Sequence, residues 1–241
     1  QSPTYNLSQG SSGSELDELD KWFYALDAFS SQTKNVLVEN NLIAPTMQMI
    51  ARRSRVMSDS DYLTGLAHPN AFDNTANGAA MIAIASDMNT AEIPPMVQIA
   101  VVEEDYNLEN NSENFFEPAF ISGEDMHDTP VSITRIFHGR EHIKRIVVTA
   151  ESSYDINNLP LTYHWEVLRG DSNHVTINPL SVDNSVVEIL IDYHGETNIE
   201  SISRLTNLVS VGAFVNNGYY YSAPAFVTSY TKRNEERVYG S

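Results

Sequence analysis

Two groups of side chains in this sequence have types and spacing suited to binding chemistry. Asp155, Asn157 and Asn158 bring three oxygen-bearing side chains together within four residues of a turn. That is the donor set a hard cation such as calcium takes. Asp and Asn at such a place also bond their own backbone and build the turn, so the same residues serve a structural reading. Asp105 or Asp128 would complete a cation site. Tyr219, Tyr220 and Tyr221 follow an Asn-Gly pair. Strand alternation sends Tyr219 and Tyr221 to one face and Tyr220 to the other, so at least one ring is expected in solvent as a binding patch.

Other constellations read as weaker signals. Residues 103–130 hold nine acidic residues and no basic one. Glu103, Glu104, Asp105, Asp125 and Asp128 would suit calcium, but no spacing matches an EF-hand loop. His138 and His142 are four apart, as in helical zinc sites. Gly139 and the flanking β-patterns argue against a helix, and no Glu follows the first His. Arg52, Arg53 and Arg55 form the basic cluster of an acidic half. They read as a solvated helix face pairing with nearby acids, with anion binding as the alternative. Arg169-Gly-Asp171 matches an adhesion-type tripeptide at chance frequency. Tyr163 and Trp165 could stack on a sugar, yet they share a strand face with Leu161 and Val167, which makes that face core.

The catalytic inventory is thin. The sequence contains no Gly-x-Ser-x-Gly elbow, no P-loop and no dinucleotide fingerprint. Carboxylate pairs abound because the chain is acidic, and a glycosidase pair is defined by separation in space. There is no cysteine, so disulfides, thiolate metal sites and a Cys nucleophile are excluded. The formal charge of −18 repels phosphate backbones and argues against nucleic acid as a partner. No apolar run approaches the length of a membrane span.

The elements that must carry these residues divide the chain in two. Its 241 residues suffice for one or two domains, and 41% apolar residues make a globular composition. Residues 1–130 hold 20 acidic and 5 basic residues (−15), and residues 131–241 hold 12 and 9 (−3), which places a boundary near 130. Residues 1–13 are small and polar and read as a linker. From Ser14 a helix is expected whose buried stripe is Leu16, Leu19, Trp22, Phe23, Leu26 and Phe29. The pattern resumes through Val36 to Ile43. Pro45 suits the first turn of another helix with Met47, Ile50 and Ala51 inside. Ser58-Asp-Ser-Asp61 is a capping-type run. Ala76–Met88 reads as a helix and Met96–Val102 as a strand. Thus 14–100 is expected to be mainly helical, 101–130 an acidic connector with apolar anchors, 131–230 all-β, and 231–241 a tail.

The β-half shows seven candidate strands: 131–137, 143–150, 161–168, 175–177, 186–191, 208–215 and 219–230. Asn217-Gly218 between two apolar runs is the strongest hairpin signal. Short strands at this spacing mean an antiparallel β-sandwich. The turn Ala150-Glu-Ser-Ser-Tyr-Asp155, the strand Leu161-Thr-Tyr-His-Trp165 and the late strand Leu208-Val-Ser-Val-Gly-Ala-Phe-Val215 go further. With these motifs, residues 131–230 resemble the PKD-like, immunoglobulin-like modules of secreted bacterial proteins. Two departures stand out. Arg169-Gly-Asp-Ser172 replaces the family's Gly-Asp-Gly turn, and residues 194–206 are a longer insertion than usual.

The resemblance implies an extracellular, cell-surface or periplasmic protein in which such modules space, present or bind. The leading expectation is a non-catalytic module for protein–protein or polysaccharide contact within a larger protein, with calcium as a candidate stiffener. Two alternatives stand beside it. One is an accessory piece of a polysaccharide- or peptide-degrading enzyme whose catalytic domain lies outside this chain. The other is a structural spacer.

Overall fold

The computed structural model describes residues 16–68, 76–104, 128–137, 142–199 and 204–231. The expected linker, the body of the acidic connector, His138 and nearly all of the tail lie outside the described residues. Before residue 100 the chain is helical: α1 Leu16–Ala28, α2 Ser31–Glu39, α3 Ile43–Arg53, the single turn α4 Asp59–Tyr62 and α5 Gly78–Asp87. Side-chain caps set three of the starts. Ser30, Ser58 and Asn77 accept the backbone N–H of Thr33, Asp61 and Ala80, each at 3.1 Å. The expected capping run at 58–61 is therefore in place.

The buried stripe of α1 differs from the one its apolar spacing predicts. Leu16 and Phe23 are largely exposed, whereas Glu18 and Ala25 are buried. The reason is the neighbour. Helix α1 packs against α5, whose first turn is Gly78-Ala-Ala. A Cβ on Gly78 would stand 2.9 Å from Cγ of Lys21, so the helices meet where Lys21 and Ala25 present a slim surface. Glu18 is tolerated there because it accepts from the Trp22 indole at 3.4 Å and pairs with Lys21 at 3.3 Å. Helix α3 buries Met47, Ile50 and Ala51 as its spacing predicts, and Arg52 with them.

After residue 100 the chain is β. The strands are β1 Ala100–Glu104, β2 Ser132–Phe137, β3 Ile143–Thr149, β4 Thr162–Arg169, β5 Val175–Pro179, β6 Val186–Asp192, β7 Thr197–Ile199, β8 Arg204–Thr206, β9 Val209–Asn216 and β10 Ala225–Thr231. One four-stranded sheet has the order β1-β3-β6-β5, and the other has β2-β10-β9-β4. Among the described residues all strand pairings are antiparallel except β2 with β10. The fold is thus a helical layer combined with two sheets.

Three details depart from the sequence reading. The first sheet takes its edge strand from residues 100–104, which overlap the start of the expected acidic connector, and Met96 contributes an isolated bridge to Tyr154 instead of opening that strand. The expected two-residue hairpin at Asn217-Gly218 is a longer connection, with one bridge (Asn216 to Tyr221) before β10 begins at Ala225. The 194–206 insertion contains the small β7–β8 hairpin.

Alternation assigns two cores to the second sheet. Along β9, Val209, Val211, Ala213 and Val215 enter one cluster with Ile146, Val148, Val187 and Ile189 of the first sheet. The intervening Phe214, with Phe226 of β10 and Leu168 of β4, belongs to another cluster shared with the helices. So β9 is buried on both faces from Val209 to Val215. The fit to the helical layer is tight. A Cβ on Gly65, in the short 3₁₀ turn Gly65–Ala67, would lie 2.8 Å from the carbonyl oxygen of Leu168. A Cβ on Gly212 would lie 2.5 Å from Cδ1 of the same Leu168. At Gly65 only a residue without a side chain lets the backbones approach so closely, whereas at Gly212 a Cβ would displace the Leu168 side chain.

Candidate functional site

The turn that contains Asp155, Asn157 and Asn158 is held by hydrogen bonds. Oδ1 of Asp155 accepts the N–H groups of Asn157 at 2.8 Å and Leu159 at 3.2 Å. Its Oδ2 accepts the side-chain amide of Asn217 at 2.7 Å. The Asn217 amide also donates to the carbonyl of Ile93 at 2.8 Å. The Asn157 amide reaches the carbonyl of Thr90 at 3.1 Å, and Asn158 sits at φ 56°, a left-handed conformation Asn adopts readily. Asp155 and Asn217 are both buried. The result is a clasp that ties the loop before β4, the loop after β9 and the segment after α5 to one another. Both carboxylate oxygens of Asp155 are engaged as acceptors within this clasp. Asn217 completes the clasp, and its signal in the sequence was masked by its place in an Asn-Gly turn.

The same asparagine shapes the tyrosine run. Its Oδ1 accepts the N–H groups of Tyr219 and Tyr220, each at 3.0 Å. Tyr219 faces solvent. Tyr220 and Tyr221 both pack against the helical core cluster, and the Tyr221 ring lies 6.1 Å from that of Tyr62. Strict alternation fails because residues 217–224 are loop, not strand. Burial raises the pKa of the Tyr220 phenol, with Glu92 and Asp87 adding to the effect.

The described acidic residues of the expected connector, Glu103, Glu104 and Asp128, are partnered by arginine. The guanidinium of Arg135 on β2 binds Glu104 at 2.7 Å through Nε and Asp128 at 2.6 Å through Nη1, with a second bond to each. Burial opposes the charge of Arg135, but the hydrogen bonds to Asp128 and Glu104 outweigh it and its pKa is raised. Glu103 pairs with Arg145 at 3.0 Å. Among the described residues no group of three or more His, Asp or Glu is placed to hold a metal.

The expected solvated arginine cluster divides. Arg53 pairs with Asp59 on the surface. Arg52 is buried, donating to the carbonyls of Tyr62 at 2.9 Å and Thr64 at 2.8 Å. Its guanidinium carbon lies 5.2 Å from the ring centroids of both Tyr62 and Phe214. The sequence reading missed this because a solvated face is the ordinary place for Arg on a helix. Planar stacking and a fork of donors make Arg the cation suited to such a site. Burial pulls its pKa down to about 10. The Tyr62 hydroxyl donates to the carbonyl of Ser222 at 2.7 Å, joining α4 to the loop before β10. His68 is buried nearby against Phe226, and both of its ring nitrogens are without partners. Burial first, then Arg169, Arg52 and Arg55, depress its pKa to about 3.

Trp165 and Tyr163 pack partly buried against the inter-sheet cluster, and the Trp165 indole donates to the carbonyl of Asn184 at 2.9 Å. On the opposite face of β4, His164 Nε2 lies 3.6 Å from Glu166 with both side chains partly exposed. His174 Nε2 lies 3.9 Å from Asp171 and its ring stacks on His194 at 4.9 Å. These are acid–base pairs in composition. Among the described residues neither His164 nor His174 hydrogen-bonds a serine or threonine hydroxyl. Asp171 spends its carboxylate on the N–H of Asn173 at 3.0 Å, capping a 3₁₀ turn, which accounts for the Arg-Gly-Asp triplet.

No known protein family matches this chain, and no curated protein matches it either. Among solved structures it is similar to a nucleoside hydrolase-related hypothetical protein from Saccharophagus degradans that is associated with carbohydrate metabolism. The identity is 14% and the TM-score 0.33, over 64% of this chain and 30% of that one. The chain therefore spans less than a third of that protein's length, and a likeness of this degree carries no argument.

Proposed function

We propose that this chain is a non-catalytic extracellular module that makes contacts, to protein or polysaccharide, within a larger secreted or surface protein. In this reading its β-half is a PKD-like, immunoglobulin-like sandwich. Strand order carries the reading. An immunoglobulin-type sandwich sets its first, second, fifth and fourth strands in one sheet and its third, sixth and seventh in the other. The order β1-β3-β6-β5 follows the first of these sets. The order β10-β9-β4 follows the second, and β2 joins β10 in parallel as a further length of first strand. A shared apolar cluster between the sheets supports the same reading.

The non-catalytic part rests on how the polar side chains are used. Asp155, Asn217, Arg135 and Arg52 bind backbone, one another or neighbouring carboxylates. Calcium is not required in this reading, because the Asp155–Asn217 clasp already stiffens the turn. The test is an assay of the chain on chromogenic glycosides, nucleosides and peptides, beside a His164→Ala variant. The reading expects no turnover by either protein. Turnover that disappears with His164→Ala would overturn it.

A further inference from the structure

Among the described residues the helical layer has a second side that no other element covers. Between α1, α2 and α3 runs an open groove of about 410 Å³ lined by Phe23, Leu26, Asp27, Lys34, Val38 and Ile43. Phe23 is 62% exposed and Val38 59%, values high for such large apolar side chains. Leu16, two helical turns before Phe23 and thus on the same side of α1, is equally exposed. Scattered apolar residues on a surface need no explanation, but a contiguous apolar groove marks an interaction site.

Charge selects the occupant. Asp17, Asp20, Asp27 and Glu39 are all exposed on α1 and α2. The two lysines of these helices are already paired, Lys21 with Asp17 at 3.0 Å and Lys34 with Asp27 at 3.6 Å. An apolar floor with an acidic rim complements a segment that carries apolar anchors flanked by Lys or Arg. A second copy of a chain of charge −18 would bring a like-charged rim. An anionic membrane would be repelled in the same way. A sugar would find few polar groups in the lining, since Asp27 and Lys34 already pair.

Resting on the reading of this chain as a contact module, we infer that the α1–α2–α3 groove docks a basic amphipathic segment of a partner protein. Phe23 and Val38 supply its apolar contacts, and Asp20 and Glu39 its charge complement.

The test uses fluorescein-labelled 18-residue peptides, one of leucine and lysine in a helical amphipathic pattern and one with glutamate in place of lysine. Binding is read by fluorescence anisotropy in physiological salt. The lysine peptide is expected to bind and the glutamate peptide not to bind. Phe23→Ser with Val38→Ser keeps the charge unchanged and alters exposed positions. It should weaken the lysine peptide at least ten-fold while circular dichroism stays native. Asp20→Asn with Glu39→Gln should weaken it less and flatten its salt dependence. Asp183→Asn, on an exposed turn of the β-half, should leave it unchanged. Equal binding by the Phe23/Val38 variant would overturn the inference, because attraction by net charge alone would then suffice. Self-association in sedimentation, or binding to phosphatidylserine vesicles, would also overturn it if that variant abolished either. All these outcomes are independent of the turnover assay, so the groove and the contact-module reading fail separately.

Discussion

The two faces of the β2-β10-β9-β4 sheet are built on different rules. The inner face presents Val209, Val211, Ala213, Val215, Ala225 and Val227 to the other sheet, and its cluster is apolar. The outer face presents Ser210, Gly212, Phe214, Phe226 and Thr228 to the helical layer. That layer answers with the aromatic ring of Tyr62, a buried guanidinium from Arg52 and a buried imidazole from His68. Small β-branched residues suffice where two pleated surfaces interdigitate. Where the helices meet this sheet, glycine gives close approach, large rings fill the remaining space, Arg52 finds partners in the backbone and His68 is buried without any. The outer face is therefore both more dependent on single residues and more sensitive to pH.

The largest effect should come from Phe214→Ala. Phe214 is buried and stands at 5.9 Å from Tyr62, 6.3 Å from His164 and 5.2 Å from the Arg52 guanidinium. Emptying that place should cost about 3–5 kcal/mol in urea unfolding. A loss under about 1 kcal/mol would mean that the helical layer does not lean on this face.

Asp155→Ala should cost about 2 kcal/mol, since it leaves the N–H groups of Asn157 and Leu159 and the Asn217 amide short of an acceptor. Millimolar calcium should leave the Tm of the unaltered protein where it is. A rise in Tm that Asp155→Ala removes would show a cation bound to the folded state.

His68 gives the outer face its pH dependence. Its folded pKa lies near 3, below the ordinary value of 6.5, chiefly because it is buried. The unfolded chain takes up a proton that the folded chain refuses. The stabilisation is therefore present above pH 6.5 and is lost as the pH falls from 6.5 towards 3. Between pH 7 and pH 5 the unaltered protein should lose about 2 kcal/mol more than a His68→Leu variant. Parallel stability profiles for the two proteins would contradict the assignment. The smallest effect belongs to the inner face: Ile189→Val should cost about 1 kcal/mol, because neighbouring β-branched side chains close over one lost methylene.

The inner face was legible in the sequence and the outer one was not, for reasons these residues make plain. Alternation placed the strands near 132–137, 143–149, 162–169 and 186–192 with ends within a residue or two, because apolar side chains recur at every second position, unbroken in 162–169 and 186–192 and interrupted by Arg or Lys in the other two. The same rule sends Ser210, Gly212 and Phe214 to solvent. A warning was present, since Val209–Val215 contains no charged residue, as expected of a strand covered on both faces. Apolar spacing found α1 but not its orientation, because Gly78 and Ala25 decide where α1 and α5 meet and neither enters a count of apolar residues. Asp155 stood out at once. Its partner Asn217 lies 62 residues away, and no local pattern joins them.

The account rests on the helical layer and the β-half being one folding unit, held together across the outer face. The two tryptophans report on its two sides: Trp22 packs against the helical cluster and Trp165 against the inter-sheet cluster. The direct measurement is urea unfolding of Trp22→Phe and Trp165→Phe, each followed by its remaining tryptophan and by circular dichroism. One coincident transition for all probes in each variant is expected. A Trp22 transition at distinctly lower urea than the loss of β-structure in the Trp165→Phe protein would contradict the account, because the layers would then unfold separately.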